Sequence, residues 1–265
     1  MARILVTEEI ADGGLERLRQ AGHDVDIQVG KSAEELLTIV PGSSALIIRS
    51  ATQVTAELLA VADDLMVVGR AGIGLDNVDV SAATKQGVMV VNAPQSNIVS
   101  AAEHTMALLL AQARNVPQAH AALVAGRWER SRWTGVELVD KTLGVVGLGR
   151  IGKLVADRAR AFGMRIVAYD PFVSEDRAKK MGVELLALDQ LVAESDFLTV
   201  HLPKTPETLG LINRDLLLKA KPSLRVVNVA RGGIVHEQDL ADCVRDGVIA
   251  GAALDDLVEF AAIKP

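Results

Sequence analysis

Short β-branched runs alternate with longer amphipathic stretches along almost all of this chain. That is the pattern of parallel strands covered by helices. In the first half it predicts strands at Arg3 to Thr7, Asp24 to Val29, Ala45 to Arg49, Leu65 to Gly69 and Val88 to Asn92, with helical stretches between them. From about Ile98 to Ala125 the spacing predicts one long helix. Met106, Leu108, Leu109 and Leu110 make it apolar nearly all round, so it is expected to be buried or to lie at a subunit contact. The βα rhythm restarts at Thr142, with further strands at Arg165 to Ala168, Phe197 to Val200, Arg225 to Val229 and Val248 to Ala253. The expectation is α/β: two successive doubly wound parallel-sheet domains, 1–97 and 98–265.

Composition narrows the chemistry. With 265 residues, 49% of them hydrophobic and 23% charged, the chain can bury a sizeable core, and no apolar run is long enough to span a bilayer. A net charge of −6 argues against nucleic acid or an anionic membrane as partner, but not against a small anionic substrate gripped by a few arginines. A single cysteine, Cys243, leaves no intramolecular disulfide and no thiolate metal cluster, so no metal is expected. The start, Met1-Ala2-Arg3-Ile4-Leu5-Val6, reads as a strand rather than a signal peptide, and a cytoplasmic home is expected. No Walker loop or nucleophile elbow occurs, which makes kinase and hydrolase readings remote.

One segment points to a specific ligand. Gly147-Leu148-Gly149-Arg150-Ile151-Gly152 follows the apolar run Thr142 to Val146 and opens a helical stretch. A tight turn needs a residue without Cβ at Gly147, a pyrophosphate approaches the main chain only over Gly149, and Gly152 lets helix and strand pack closely. The helix start near Arg150 directs N–H groups and the positive end of its dipole at phosphates. Asp170, 18 residues beyond Gly152 at the end of Ile166 to Tyr169, suits the ribose hydroxyls. Its charge would repel a 2′-phosphate, which favours NAD over NADP. The competing reading is that Asp170 only begins a turn before Pro171.

Further segments carry a resemblance. Arg70-Ala71-Gly72-Ile73-Gly74-Leu75-Asp76-Asn77-Val78-Asp79, Val91-Asn92-Ala93-Pro94, Ala101-Ala102-Glu103-His104, the Gly147 loop and Asn228-Val229-Ala230-Arg231-Gly232-Gly233-Ile234-Val235 follow in this order. Over residues 1 to about 255 the chain resembles the D-2-hydroxyacid dehydrogenase superfamily, most closely its branch that oxidises 3-phospho-D-glycerate to 3-phosphooxypyruvate in serine biosynthesis. The resemblance implies a flavodoxin-like substrate domain followed by an NAD-binding Rossmann domain, catalysis in the cleft between them, and a homodimer or homotetramer joined through the cofactor domains. It implies that Arg231 is the catalytic arginine, holding the substrate carboxylate and polarising the developing ketone, as the chemistry also demands. Arg49 and Ser50 match residues that hold the substrate phosphate, with Gly72, Ile73 and Asn97 completing that pocket. On the cofactor side, Arg150 and Ile151 match the pyrophosphate loop, Leu202 a contact near the adenosine, Val229 and Ala230 the nicotinamide wall, and Asp255 the acceptor for the nicotinamide carboxamide. Ordinary strand-end packing is the competing reading for Leu202, Val229, Ala230 and Asp255, as sheet-edge capping is for Arg49.

The resemblance stops after Asp255. The family continues with a Glu-Pro pair and a later Pro-His segment, whereas Phe260 stands here where the glutamate belongs, Glu259 is one place off, and no histidine segment follows. Alcohol oxidation needs a proton acceptor, and none of His23, His104, His120, His201 and His236 matches the family's base. Two explanations stay open: a truncated or frame-shifted product of a phosphoglycerate-oxidising gene, which is favoured, or an intact protein that kept NAD binding and lost the chemistry. On either, the Rossmann domain is expected to lack its C-terminal end, to be marginally stable, and to turn over weakly or not at all. The rival functions are oxidation of another 2-hydroxy acid, as by a hydroxypyruvate reductase, and a non-catalytic NAD-binding interaction protein.

Overall fold

The computed structural model describes residues 1–255 and divides them into two compact units that meet in sequence at Asn97 and Ile98. Unit 1 runs β1 (Arg3–Val6), α1 (Asp12–Gln20), β2 (Asp24–Ile27), α2 (Ala33–Ile39), β3 (Ala45–Ile48), α3 (Ala56–Ala60), β4 (Val67–Arg70), α4 (Val80–Lys85) and β5 (Met89–Asn92). Its five strands are parallel in the order β2-β1-β3-β4-β5, so the chain reverses its winding between β1 and β3. Leu5, Leu46, Ile48 and Val68 form the buried seam, closed by Leu36, Leu58 and Leu59 of the covering helices. Local chemistry sets the helix starts: Ser32 caps α2 by accepting from the Glu35 N–H while its own N–H donates to the Glu35 carboxylate, a reciprocal capping box.

Unit 2 runs α5 (Ile98–Arg114), α6 (Val116–Val124), β6 (Thr142–Val146), α7 (Arg150–Ala161), β7 (Arg165–Tyr169), α8 (Glu175–Lys180), β8 (Glu184–Leu185), α9 (Leu188–Glu194), β9 (Phe197–Val200), α10 (Arg214–Leu217), β10 (Arg225–Asn228), α11 (Glu237–Arg245) and β11 (Gly251–Leu254). The six parallel strands lie in the order β11-β10-β9-β6-β7-β8, the 3-2-1-4-5-6 winding of a dinucleotide-binding sheet read from its other edge, with its reversal between β6 and β9. The central strands β6 and β9 are buried at every position, as strands covered on both faces must be.

Three expectations need correction. The stretch 98–125 is two helices, because Asn115 adopts the left-handed conformation (φ 52°) and Pro117 stands in the first turn of α6, where it cannot donate back to α5. Nor is α5 apolar all round: Ala102, Met106, Leu109 and Ala113 are buried on one stripe, while Val99, Glu103 and His104 are exposed. The last strand begins at Gly251 rather than Val248, since Val248 and Ile249 turn back on α11 through hydrogen bonds to the Cys243 carbonyl. The two-residue strand β8 has no counterpart in the hydrophobic pattern, because it is too short to show a period. No helix among the described residues is long and apolar enough to cross a membrane. Glu259 and Phe260 lie outside the described residues.

Candidate functional site

The carboxyl ends of the unit 2 strands gather most of the residues singled out in the sequence. Gly147, directly after β6, has φ +98°, and a Cβ there would fall 2.6 Å from the His201 carbonyl oxygen and 2.9 Å from Leu202 Cδ2. Gly152 is tighter still: a Cβ would sit 2.1 Å from the Gly147 carbonyl oxygen and 3.2 Å from Val145 Cγ1. Gly149 differs from both, because a Cβ there would meet nothing within 4 Å. It is the N-cap of α7 and offers no side-chain cap, so the first turn of that helix opens onto empty space. Arg150 and Ile151 form that first turn. A diphosphate fits such a cradle, with backbone donors and the helix dipole facing it.

Asp170, at the end of β7, holds this loop in place. Its Oδ2 accepts from the Leu148 N–H at 2.8 Å and its Oδ1 from the Phe172 N–H at 2.9 Å. Asp170 thus begins the turn at Pro171, and it also reaches the glycine loop, a contact that its spacing did not announce. A carboxylate has about four acceptor positions, so two remain open to further donors. On the other side of β6, Leu202 follows β9 and lies against Gly147. His201 is half-buried with Nε2 3.0 Å from Thr199 Oγ1, and desolvation of the ring pushes its imidazole down to about 4, so it is neutral at pH 7.

Arg231 stands three residues past β10, and the turn that carries it is built by Asn228. That side chain, 2% exposed, accepts from the Ala230 N–H at 3.0 Å and donates to the Arg231 carbonyl at 2.9 Å. The Arg231 guanidinium donates back to the Ala230 carbonyl at 2.7 Å. Val229 and Ala230 are half-buried in the same turn. His236 caps α11, its Nδ1 accepting from the Asp239 N–H at 3.3 Å, and is thereby committed to the helix start. Asp255 follows β11, and its Oδ1 lies 2.9 Å from His104 Nε2 on α5. Asp170, the glycine loop, the Arg231 turn and Asp255 thus line one edge of one sheet. Four strand spacings of about 4.8 Å separate β7 from β11, a span of roughly 19 Å.

Unit 1 has its own site at the same kind of place. Arg49 and Ser50 are exposed where β3 ends, beside the sheet's reversal point. Their loop is held from both sides. The Glu8 carboxylate accepts from the N–H groups of Arg49 (2.8 Å), Ala51 (3.1 Å) and Thr52 (3.0 Å), and Asn77 donates to the carbonyls of Arg49 (2.9 Å) and Thr52 (2.6 Å). Burial alone would raise the Glu8 carboxyl, but the backbone donors of Thr52, Ala51 and Arg49 outweigh it and hold the group below the ordinary glutamate value. A cavity of about 340 Å³ opens here, lined by Thr7, Glu8, Lys31, Arg49 and Thr52 among others. Gly72 and Ile73 follow β4, the neighbouring strand, with their carbonyls engaged by the Ala93 N–H and the Asn92 side chain. Asn97 is the last residue of the unit, exposed in the turn before α5.

Sequence reasoning missed Glu8 and His104 as partners, and gave Asn228 no role beyond its motif. Asn228 had a readable signal, an Asx residue between a strand and a glycine turn. Glu8 and His104 had none, because their partners lie 41–44 and 151 residues away.

Comparison with known proteins supplies a frame for this geometry. Residues 106–260 match the model of the D-isomer specific 2-hydroxyacid dehydrogenase NAD binding domain. Over 254 residues the chain is 53% identical to a D-3-phosphoglycerate dehydrogenase of Mycobacterium tuberculosis, covering 95% of this chain and 48% of the relative. A D-3-phosphoglycerate dehydrogenase of Synechocystis is 47% identical over 255 residues, covering 96% and 46%. The chain spans about half the length of the curated relatives it matches. Among solved structures, an NAD-dependent formate dehydrogenase from Staphylococcus aureus in complex with NAD superposes with a TM-score of 0.87 at 32% identity, over 99% of this chain and 83% of that one.

Proposed function

The chain belongs to the D-isomer specific 2-hydroxyacid dehydrogenase family, and from this premise we propose that it serves NAD-dependent oxidation of 3-phospho-D-glycerate to 3-phosphooxypyruvate in serine biosynthesis. In this reading residues 1–97 bind substrate and residues 98–265 bind the dinucleotide. The observation that carries it is the row of groups along the carboxyl edge of the six-stranded sheet, ending in an arginine turn prebuilt by Asn228. NAD, when bound, supplies the acceptor for the hydride leaving C2 of the acid.

The protein's own residues do the rest. The first turn of α7 and the bare Gly149 receive the pyrophosphate, and Asp170 takes the ribose hydroxyls and disfavours a 2′-phosphate. Leu202 borders the adenosine end, and Val229 and Ala230 wall the nicotinamide. Asp255 accepts from its carboxamide. The Arg231 fork grips the C1 carboxylate and stabilises negative charge growing on the C2 oxygen, where a fixed cation lowers the barrier. Arg49 and Ser50, with Gly72, Ile73 and Asn97, bind the phosphate. The C2 hydroxyl proton must pass to a base, and in this reading solvent water takes it, which keeps turnover slow. His201, a weak base by its burial, and His236, committed to its helix cap, are poor choices for that task.

We assign assembly to unit 2, as a homodimer or homotetramer, because Val116, Leu123, Val124 and Trp128 are more than half exposed on and just after α6. The test of function is NADH formation from NAD and 3-phospho-D-glycerate. Arg49→Ala is expected to raise KM for the phosphorylated acid about ten- to hundredfold, the worth of a charge-assisted contact, while leaving an unphosphorylated 2-hydroxy acid within about twofold. Equal losses on both acids, or a protein that binds no NADH, would overturn the proposal.

A further inference from the structure

The strand β11 is held in an unusual way for a sheet edge. Among the described residues it pairs with β10 alone, and its outer end is fastened by side chains of α5. Gln112 donates its amide to the Ala252 carbonyl, and His104, two helical turns earlier, meets Asp255 at 2.9 Å. The geometry matches: eight helical residues rise about 12 Å, and the strand from Ala252 to Asp255 covers about 10 Å in the opposite sense. Gly251, Ala252 and Ala253 keep the strand slim enough for this approach, since a Cβ at Gly251 would lie 2.8 Å from Gln112 Oε1. The Asp255 main chain is anchored too, its N–H donating to the Asn228 carbonyl at 3.0 Å. Asn228 also builds the Arg231 turn, so Asp255 and Arg231 are both tied to one residue, the first through its main-chain carbonyl and the second through its buried side chain.

An ionised carboxylate only accepts, so the His104 nitrogen facing it carries the proton. That bond restrains the rotation of the carboxylate through Oδ1 and leaves Oδ2 for a further donor. We propose that His104 is a positioning residue for the nicotinamide end of the cofactor: it presets Asp255 so that the remaining oxygen meets the carboxamide N–H. The inference rests on the reading of Asp255 as the carboxamide acceptor. A merely structural pair would brace the sheet edge instead, and both side chains are about half exposed (47% and 49%), where a brace adds little to stability.

The experiment compares two nucleotides that differ by the nicotinamide. NADH and ADP-ribose are titrated against the full chain and against His104→Ala, His104→Gln and Asp255→Asn. His104→Ala is expected to weaken NADH about three- to tenfold, the range of one hydrogen bond, and to leave ADP-ribose and the melting temperature unchanged. His104→Gln, which keeps a donor, should recover most of the loss, and Asp255→Asn should also weaken NADH alone. An unchanged ratio of the two affinities in His104→Ala overturns the proposal, as does a loss confined to turnover with NADH affinity intact. If the wild-type chain binds neither nucleotide, the cofactor site itself fails and this inference with it. If it binds both and the ratio does not move, only the role of His104 fails.

Discussion

Unit 1 and unit 2 each place an anion-binding candidate where the sheet reverses its winding, yet they build it in opposite ways. In unit 2 the loop is emptied: glycines remove side chains, and the helix start faces open space at Gly149. In unit 1 the equivalent backbone donors are already taken, because Glu8 gathers three of them, and under the proposed function a ligand would meet the Arg49 side chain instead. A cluster of N–H groups at a strand end stays open to a ligand where the chain supplies no carboxylate of its own. Filled from within, it becomes a rigid mount for a cation.

The comparison breaks hardest at Gly152. A Val there drives its Cβ into the Gly147 carbonyl, and the overpacking should cost about 1–3 kcal/mol or more and abolish NADH binding. Gly149→Ala should do the second without the first, since its Cβ meets no protein atom. Thermal melts beside NADH titrations separate the two, and a stable, NADH-binding Gly152→Val protein would show that the loop does not need its close approach.

An effect of comparable size on stability, with NADH binding untouched, comes from acid. His201 takes no proton in the folded state until about pH 4, while in the unfolded chain it does so near 6.5. Its folded value is depressed, so the unfolded state gains protons first, and stability should fall between pH 6.5 and 4 by roughly 3 kcal/mol. His201→Gln should flatten that part of the profile in denaturant melts. An identical slope in both proteins would refute the assignment.

Glu8 is expected to give the smallest change, in unit 1 alone. Its carboxyl is held below the ordinary value of 4.5, so its contribution is fully present above that pH and is lost as pH falls through the lowered folded value. Glu8→Ala should cost about 1–2 kcal/mol at pH 7 and nothing once the wild-type carboxyl is protonated. It should also loosen the Arg49 loop, seen as faster amide exchange at Ala51 and Thr52. Unchanged exchange there would mean that Asn77 alone holds the loop.

How far the sequence could be read depends on how local each cause is. The strands β6, β7 and β9 and the Gly147 loop were legible because a run of Val and Ile or a glycine spacing acts on its own neighbours. The break at Asn115 was legible in principle from Pro117, but the apolar spacing on both sides concealed it. The two-residue β8 was beyond any periodicity. Of the candidate site, Gly147, Gly149, Gly152 and Asp170 follow from spacing alone, whereas Arg49 and Arg231 needed a resemblance. The groups that hold those arginines in place, Glu8, Asn77 and Asn228, are visible as contacts only once the chain has folded.

By itself, then, the sequence determined the alternation of strands and helices, the reversal into a second α/β unit near Asn97, and a glycine bend shaped for a diphosphate. Those features depend on backbone conformations and hydrophobic periods that neighbouring residues impose. Tertiary structure decided the order 3-2-1-4-5-6 of the second sheet, the capture of the Arg49 loop by Glu8, and the meeting of His104 with Asp255. These required parallel strands to bring distant segments to one edge, and a hydrogen bond depends on separation in space rather than along the chain.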